Sequence, residues 1–212
     1  VQDAASGQDR RSGEDEGSQQ RWKKEICQIL GEIQAPLSPL LLRLCHWLLP
    51  KLLTRLFLSV QLHWGQLEMV LRAARTPEVP LVFLCSHQSQ VDGPLLSFIL
   101  LSQGIGLPRV TVGAWPSPCL RSLLKRLGGI FLPSGMTQTL SDQDEGLPGA
   151  VLDAYIQEVL QSRQPLLLFL EEPLRLADPA RCWLLRVLRA LRDGAVPDIL
   201  VVPVGIAYDV AP

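Results

Sequence analysis

Residues Pro80–Pro94 read PLVFLCSHQSQVDGP, and the reading of this stretch decides the fold. Leu81–Cys85 is an unbroken apolar run, too short for a core helix and without the polar alternation of a half-solvated strand, so it predicts a strand over 81–85 buried on both faces. A polar turn follows, and Pro94 suits the first turn of a helix, which the pattern carries from Pro94 to about Ser102. His87 then falls just past the carboxyl end of the strand and Asp92 just before the helix.

The same alternation repeats downstream. Strands are expected around 109–113 (RVTVG), at 129–133 (GIFLP), at 165–170 (PLLLFL) and at 199–208 (ILVVPVGIAY). Helices are expected between them, from about Pro118 to Leu127, around Ala150 to Ser162 and around Ala180 to Arg192. Strands alternating with helices predict an α/β fold with a largely parallel or mixed sheet. In such sheets the chemistry gathers beyond the carboxyl ends of the strands. Pro203 lacks the N–H that a ladder needs, so the last run is expected at a sheet edge or a bulge.

Upstream the character differs. Residues 1–20 hold Gly, Ser, Gln and charge and are expected to be a disordered tail. Ile26, Ile29, Leu30 and Ile33 recur at threes and fours and predict a helix from Arg21 that stops before Pro36. A second helical stretch runs from about Pro39 to Ala74 with Pro50 as a kink or break. The division expected is therefore a tail over 1–20, a helical segment over 21–76 and an α/β domain over 77–212.

Within the helical segment Arg43, Trp47, Lys51 and Arg55 recur every fourth residue and share one helix face among leucines. Two readings stand: a helix lying on a membrane surface, with cations toward anionic headgroups and Trp at the interface, or an ordinary amphipathic helix with a basic solvated side. No window offers the roughly 18 uninterrupted apolar residues that a spanning helix needs.

The 212 residues are 47% hydrophobic and 19% charged, enough to bury the core of one main domain with an appended segment. A net charge of −1 supplies no field for a nucleic-acid partner. Cys27, Cys45, Cys85, Cys119 and Cys182 are odd in number and lack paired spacing, which points to reduced, intracellular thiols. His46, His63 and His87 are far apart with no Cys at ligand spacing, so no metal site is expected. The sequence opens on Val1 without a basic-then-apolar leader, as expected at a fragment boundary.

His87 and Asp92 suit a base with its orienter: the carboxylate accepts one imidazole N–H and leaves the other nitrogen to take a proton from a substrate hydroxyl. Alone, such a pair is common by chance and reads more simply as a helix cap at Asp92 and a surface histidine. Three further segments bear on it. LGGIFLP (127–133) sets a Gly pair before a short strand, LLLFLEE (166–172) delivers Glu171 to a strand end, and VVPVGIAYD (201–209) carries Pro203. Ser86 and Ser89 beside His87 raise a serine hydrolase, but there is no Gly-x-Ser-x-Gly elbow.

The order His-x4-Asp-Gly, Gly-Gly-Ile-Phe-Leu, Phe-Leu-Glu, Val-Pro-Val-x-Ile-x-Tyr-Asp resembles the four blocks of the glycerol-3-phosphate and lysophosphatidate acyltransferases. The background in LLSQGIGLPRV, LLKRLGGIFLP, QPLLLFLEEP and VPDILVVPVGIAYD is most similar to the mitochondrial-type branch, in its divergent second mammalian form. The resemblance runs from about Leu40 onward and is strongest over Phe83–Asp209.

It implies acyl transfer from acyl-CoA, as co-substrate and with no cofactor, to the 1-hydroxyl of glycerol 3-phosphate. His87 matches the general base and Asp92 its partner, and Gly129, Phe131, Glu171 and Pro203 match substrate-binding positions. It further implies the mitochondrial outer membrane and a domain that continues beyond Pro212, so that 77–212 is expected to be incomplete.

Two departures bear on the acceptor. Where the family usually carries Arg after the second block the chain has Pro133, and where it reads Glu-Gly-Thr-Arg the chain has Glu171-Glu172-Pro173-Leu174, with Arg175 one place later. Phosphate is commonly held by guanidinium groups and backbone donors, which these residues do not supply. A changed acceptor, or a weakly catalytic relative acting as a membrane-bound binding or scaffold protein, is the alternative that follows.

Overall fold

The computed structural model describes residues 20–34, 38–56, 59–75, 79–86, 92–112, 125–132, 146–170 and 179–209. The expected tail over 1–20 lies outside these residues except for Gln20, as does most of the helix expected from Pro118 to Leu127.

Three helices precede the sheet: α1 over 20–33, α2 over Pro39–Leu56 and α3 over Trp64–Arg75. The helix of α2 continues through Pro50, and the interruption falls instead at 59–63. Proline removes one backbone bond, and the helix carries on through that loss. The remaining elements among the described residues are β1 (Leu81–Ser86), α4 (Asp92–Ser102), β2 (Arg109–Val112), β3 (Gly129–Phe131), α5 (Gly146–Gln161), β4 (Leu166–Leu170), α6 (Pro179–Arg192) and β5 (Leu200–Val204).

The five strands form one sheet in the order β3-β2-β4-β1-β5, and every neighbouring pair is parallel. This is the α/β architecture expected, in its parallel form. Of the boundaries that differ, two bear on the site. Helix α4 begins at Asp92 rather than Pro94, because the first four N–H groups of a helix have no partner within it and Pro94 gives up nothing in that turn. Strand β5 ends at Val204 rather than 208, because its partner β1 runs out: Cys85 faces Val204 and β1 closes at Ser86.

Side chains alternate between the faces. Val82, Leu166 and Leu168 enter one core with Ile29 and Ile33 of α1, Leu152, Ile156 and Leu160 of α5, and Trp183 and Val187 of α6. Leu81, Phe83, Cys85 and Leu167 enter the other with Leu96 and Leu100 of α4, against which Val70, Ala73 and Ala74 of α3 pack. Both faces of β1 and β4 are covered, which is why their sequences read as unbroken apolar runs.

The crossovers set the site. From β1 the chain moves through α4 toward β2 on one face, whereas from β4 it moves through α6 to the opposite side of the sheet on the other face. Opposite directions on opposite faces are what a single crossover hand requires. The neighbours β1 and β4 thus send the chain apart, and a crevice at their carboxyl ends is the place for a ligand in such a sheet.

Candidate active site

Asp92 lies at the first residue of α4 and is fully buried. A buried carboxylate needs donors. One is supplied from the far end of the sequence: the Tyr208 hydroxyl donates to Asp92 Oδ1. The start of α4 adds the positive end of the helix dipole. Burial, followed by the bond to Asp92 and its charge, pushes the Tyr208 hydroxyl well above the ordinary tyrosine range, so it stays protonated and donating.

Tyr208 reaches Asp92 because β5 pairs with β1. Cys85 faces Val204, so the two strands release the chain side by side, and residues 205–208 carry the ring to the start of α4. Pro203 sits opposite Leu84 in this pairing, and among the described residues β5 is an outer strand of the sheet, as a proline without an N–H suggests. Cys85 is wholly buried beneath, its thiol pushed up to about 11 by burial and then by Asp92. At neutral pH it is a packed thiol and not a nucleophile.

On the other flank of β4 the ladder with β2 covers Arg109–Leu166 and Val110–Leu167. Past it the Thr111 side chain takes over: its hydroxyl donates to the Leu167 carbonyl at 3.3 Å and accepts the Phe169 N–H at 3.3 Å. Gly93 lies over this point, where a Cβ would stand 3.5 Å from the Phe169 ring, so α4 sits directly on the ends of β4 and β2.

Of the residues singled out in the sequence, Asp92 and Pro203 are both next to β1. Gly129 and Phe131 are not: they lie in β3, which is separated from β1 by β2 and β4, three inter-strand steps or roughly 14 Å. Phe131 is buried in β3, with Lys125 Nζ 5.7 Å from its ring centroid. The preceding Gly128 has φ +101°, a backbone that side chains rarely adopt, so the Gly pair has a turn to make at the entry to the strand. His87, Glu171, Pro133, Glu172-Pro173-Leu174 and Arg175 lie outside the described residues. Their place in the chain is informative even so, since His87 and Glu171 are the next residues after Ser86 and Leu170, which face each other across β1 and β4.

Tyr208 is the residue that sequence reasoning missed. Its signal was present, since it stands in the last block as the Tyr of VGIAYD, but nothing local connects it to an aspartate 116 positions earlier.

No protein-family model matches the chain. Human mitochondrial glycerol-3-phosphate acyltransferase 2 is 48% identical over 199 residues, covering 90% of this chain and 24% of that protein. The mouse form is 47% identical over 196 residues, again 90% of this chain and 24% of the relative. Human mitochondrial glycerol-3-phosphate acyltransferase 1 is 38% identical over 192 residues, 88% of this chain and 23% of that protein. The chain spans about a quarter of the length of the curated relatives it matches.

Proposed function

We propose, from the premise that this chain is homologous to a segment of the mitochondrial glycerol-3-phosphate acyltransferases, that the protein transfers an acyl group from acyl-CoA to the 1-hydroxyl of glycerol 3-phosphate. The reaction belongs to mitochondrial glycerolipid synthesis, at the outer membrane. His87 is the general base. It takes the hydroxyl proton as the oxygen attacks the thioester carbonyl; the C–O bond forms, the C–S bond breaks, and the departing CoA thiolate takes that proton from the imidazolium. Asp92 accepts the other imidazole N–H and holds the ring in one tautomer.

The observation that carries this reading is the buried Asp92 carboxylate at the start of α4, on the edge where β1 and β4 end and the chain continues into His87 and Glu171. A carboxylate taken out of water at a strand-to-helix turn serves an orienter better than an ordinary solvated cap does. Glu171 and Pro203 belong to the substrate region beside it, and Gly129 and Phe131 to its far margin.

In the full-length protein His87→Ala should lower kcat with glycerol 3-phosphate and acyl-CoA by about 10²- to 10⁴-fold, the range of a general base, with the fold intact by circular dichroism. Wild-type activity in that variant would sink the assignment. Lysophosphatidate is assayed beside it, because Pro133 and Glu172-Pro173-Leu174 stand where phosphate-holding residues are expected. Turnover of that acceptor alone would favour the changed-acceptor reading, and turnover of neither a scaffold role.

Helix α2 supports a membrane surface as partner. Arg43, Lys51 and Arg55 are exposed along the same face as Leu40 (75% exposed), Leu44, Trp47 and Leu48, and Lys51 Nζ stands 3.7 Å from the Trp47 ring centroid. Leucines and an aromatic left in water among cations match the chemistry of an anionic bilayer interface. No described helix is long and apolar enough to cross a membrane. Trp47→Glu with Leu44→Glu should abolish cosedimentation with vesicles containing anionic phospholipid; unchanged binding would return this face to solvent.

A further inference from the structure

We propose that Tyr208 is a positioning residue for the base: its hydroxyl fixes the carboxylate of Asp92 and, through it, sets the orientation and basicity of His87. The inference rests on the reading of His87 and Asp92 given above and extends it to a third residue, drawn from the other end of the chain.

The geometry has three parts. First, the bond to Oδ1 pins the plane of the Asp92 carboxyl group from one side. A carboxylate accepts on both oxygens, so a donor at one of them leaves capacity for an imidazole N–H while removing rotation about the Cβ–Cγ bond. Second, the ring is delivered by structure that the sheet itself holds. The parallel pairing of β5 with β1 ends at Cys85–Val204, so the chain that continues toward His87 and the chain that carries Tyr208 leave adjacent strands. Third, the hydroxyl is kept as a donor, since burial and then the neighbouring carboxylate hold its proton on.

What separates a positioning role from a tie between β5 and α4 needed only for folding is basicity. Tyr208 draws charge from the carboxylate that His87 shares. Without the hydroxyl, Asp92 becomes the stronger acceptor toward the imidazole, and the imidazolium holds its proton more firmly. The acid limb of the pH profile of kcat/KM then moves to higher pH, a change that loss of a structural tie does not produce.

The experiment uses the full-length protein with acyl-CoA and whichever glycerolipid acceptor the wild type turns over. It compares Tyr208→Phe, Asp92→Asn, the double variant and His87→Ala. Tyr208→Phe keeps the ring, and its thermal midpoint is measured beside the kinetics. The expected result is a fall in kcat of about 10- to 100-fold, less than the full contribution of a base, with KM for both substrates changed less than about twofold. The acid limb should shift upward. The double variant should be no slower than Asp92→Asn alone, because residues acting as a unit are non-additive. An unshifted limb with unchanged kcat, or an additive loss in the double variant, overturns the role of Tyr208 while leaving His87 in place. Full activity in His87→Ala overturns the base and this inference with it.

Discussion

Strands β4 and β5 are both five-residue runs with no polar side chain, LLLFL and LVVPV, and they live in opposite surroundings. Leu167 of β4 has no exposed surface, whereas Val201 of β5 is 42% exposed. Hydrophobicity alone does not separate them. Position in the order β3-β2-β4-β1-β5 does, because β4 has a strand on either side and helices on both faces, while β5 has β1 on one side only among the described residues. A central strand carries the core, and an outer strand is available for another task. Here that task is delivering Tyr208 to Asp92.

The difference can be tested by substitution. Leu167→Ala should destabilise the chain by about 2–5 kcal/mol, the range for truncating a buried leucine, read as a lower denaturant midpoint at unchanged slope. Val201→Ala should lose under about 1 kcal/mol, since its side chain is already partly in water. Equal losses would mean that β5 is covered as β4 is.

A smaller effect sharpens the contrast through the thiols. Cys85 belongs to the buried layer and Cys27 is exposed. Alkylation at pH 8 should modify Cys27 at once and Cys85 only on unfolding. The Cys85 thiol is raised from 9.0 to about 11 in the folded chain. Its contribution is therefore whole below about pH 9 and is lost as pH climbs toward 11, because the unfolded chain releases that proton first. Cys85→Ala should remove part of the alkaline slope in unfolding free energy; an identical slope would mean that the thiol is solvated.

Much of the fold was legible because its signals are local. The runs Leu81–Cys85 and Leu166–Leu170 have the length and composition of covered strands, and Ile29 and Ile33 the spacing of one helix face. Pro203 marked an outer strand through the N–H it lacks. At Pro50, where a kink or a break was expected, the helix is not broken. In the site, Asp92 was legible as a residue at a helix start, because Pro94 marks the first turn that follows it.

By itself the sequence determined the α/β class and the position of most of the described strands and helices. Both rest on side-chain periodicity within a few residues of one another. Only the tertiary structure decided the strand order, the placement of Gly129 and Phe131 three strands away from β1, and the meeting of Tyr208 with Asp92. Those depend on which strands pair and on which face each crossover runs. That choice is made by packing between residues far apart in the chain, and no local pattern records it.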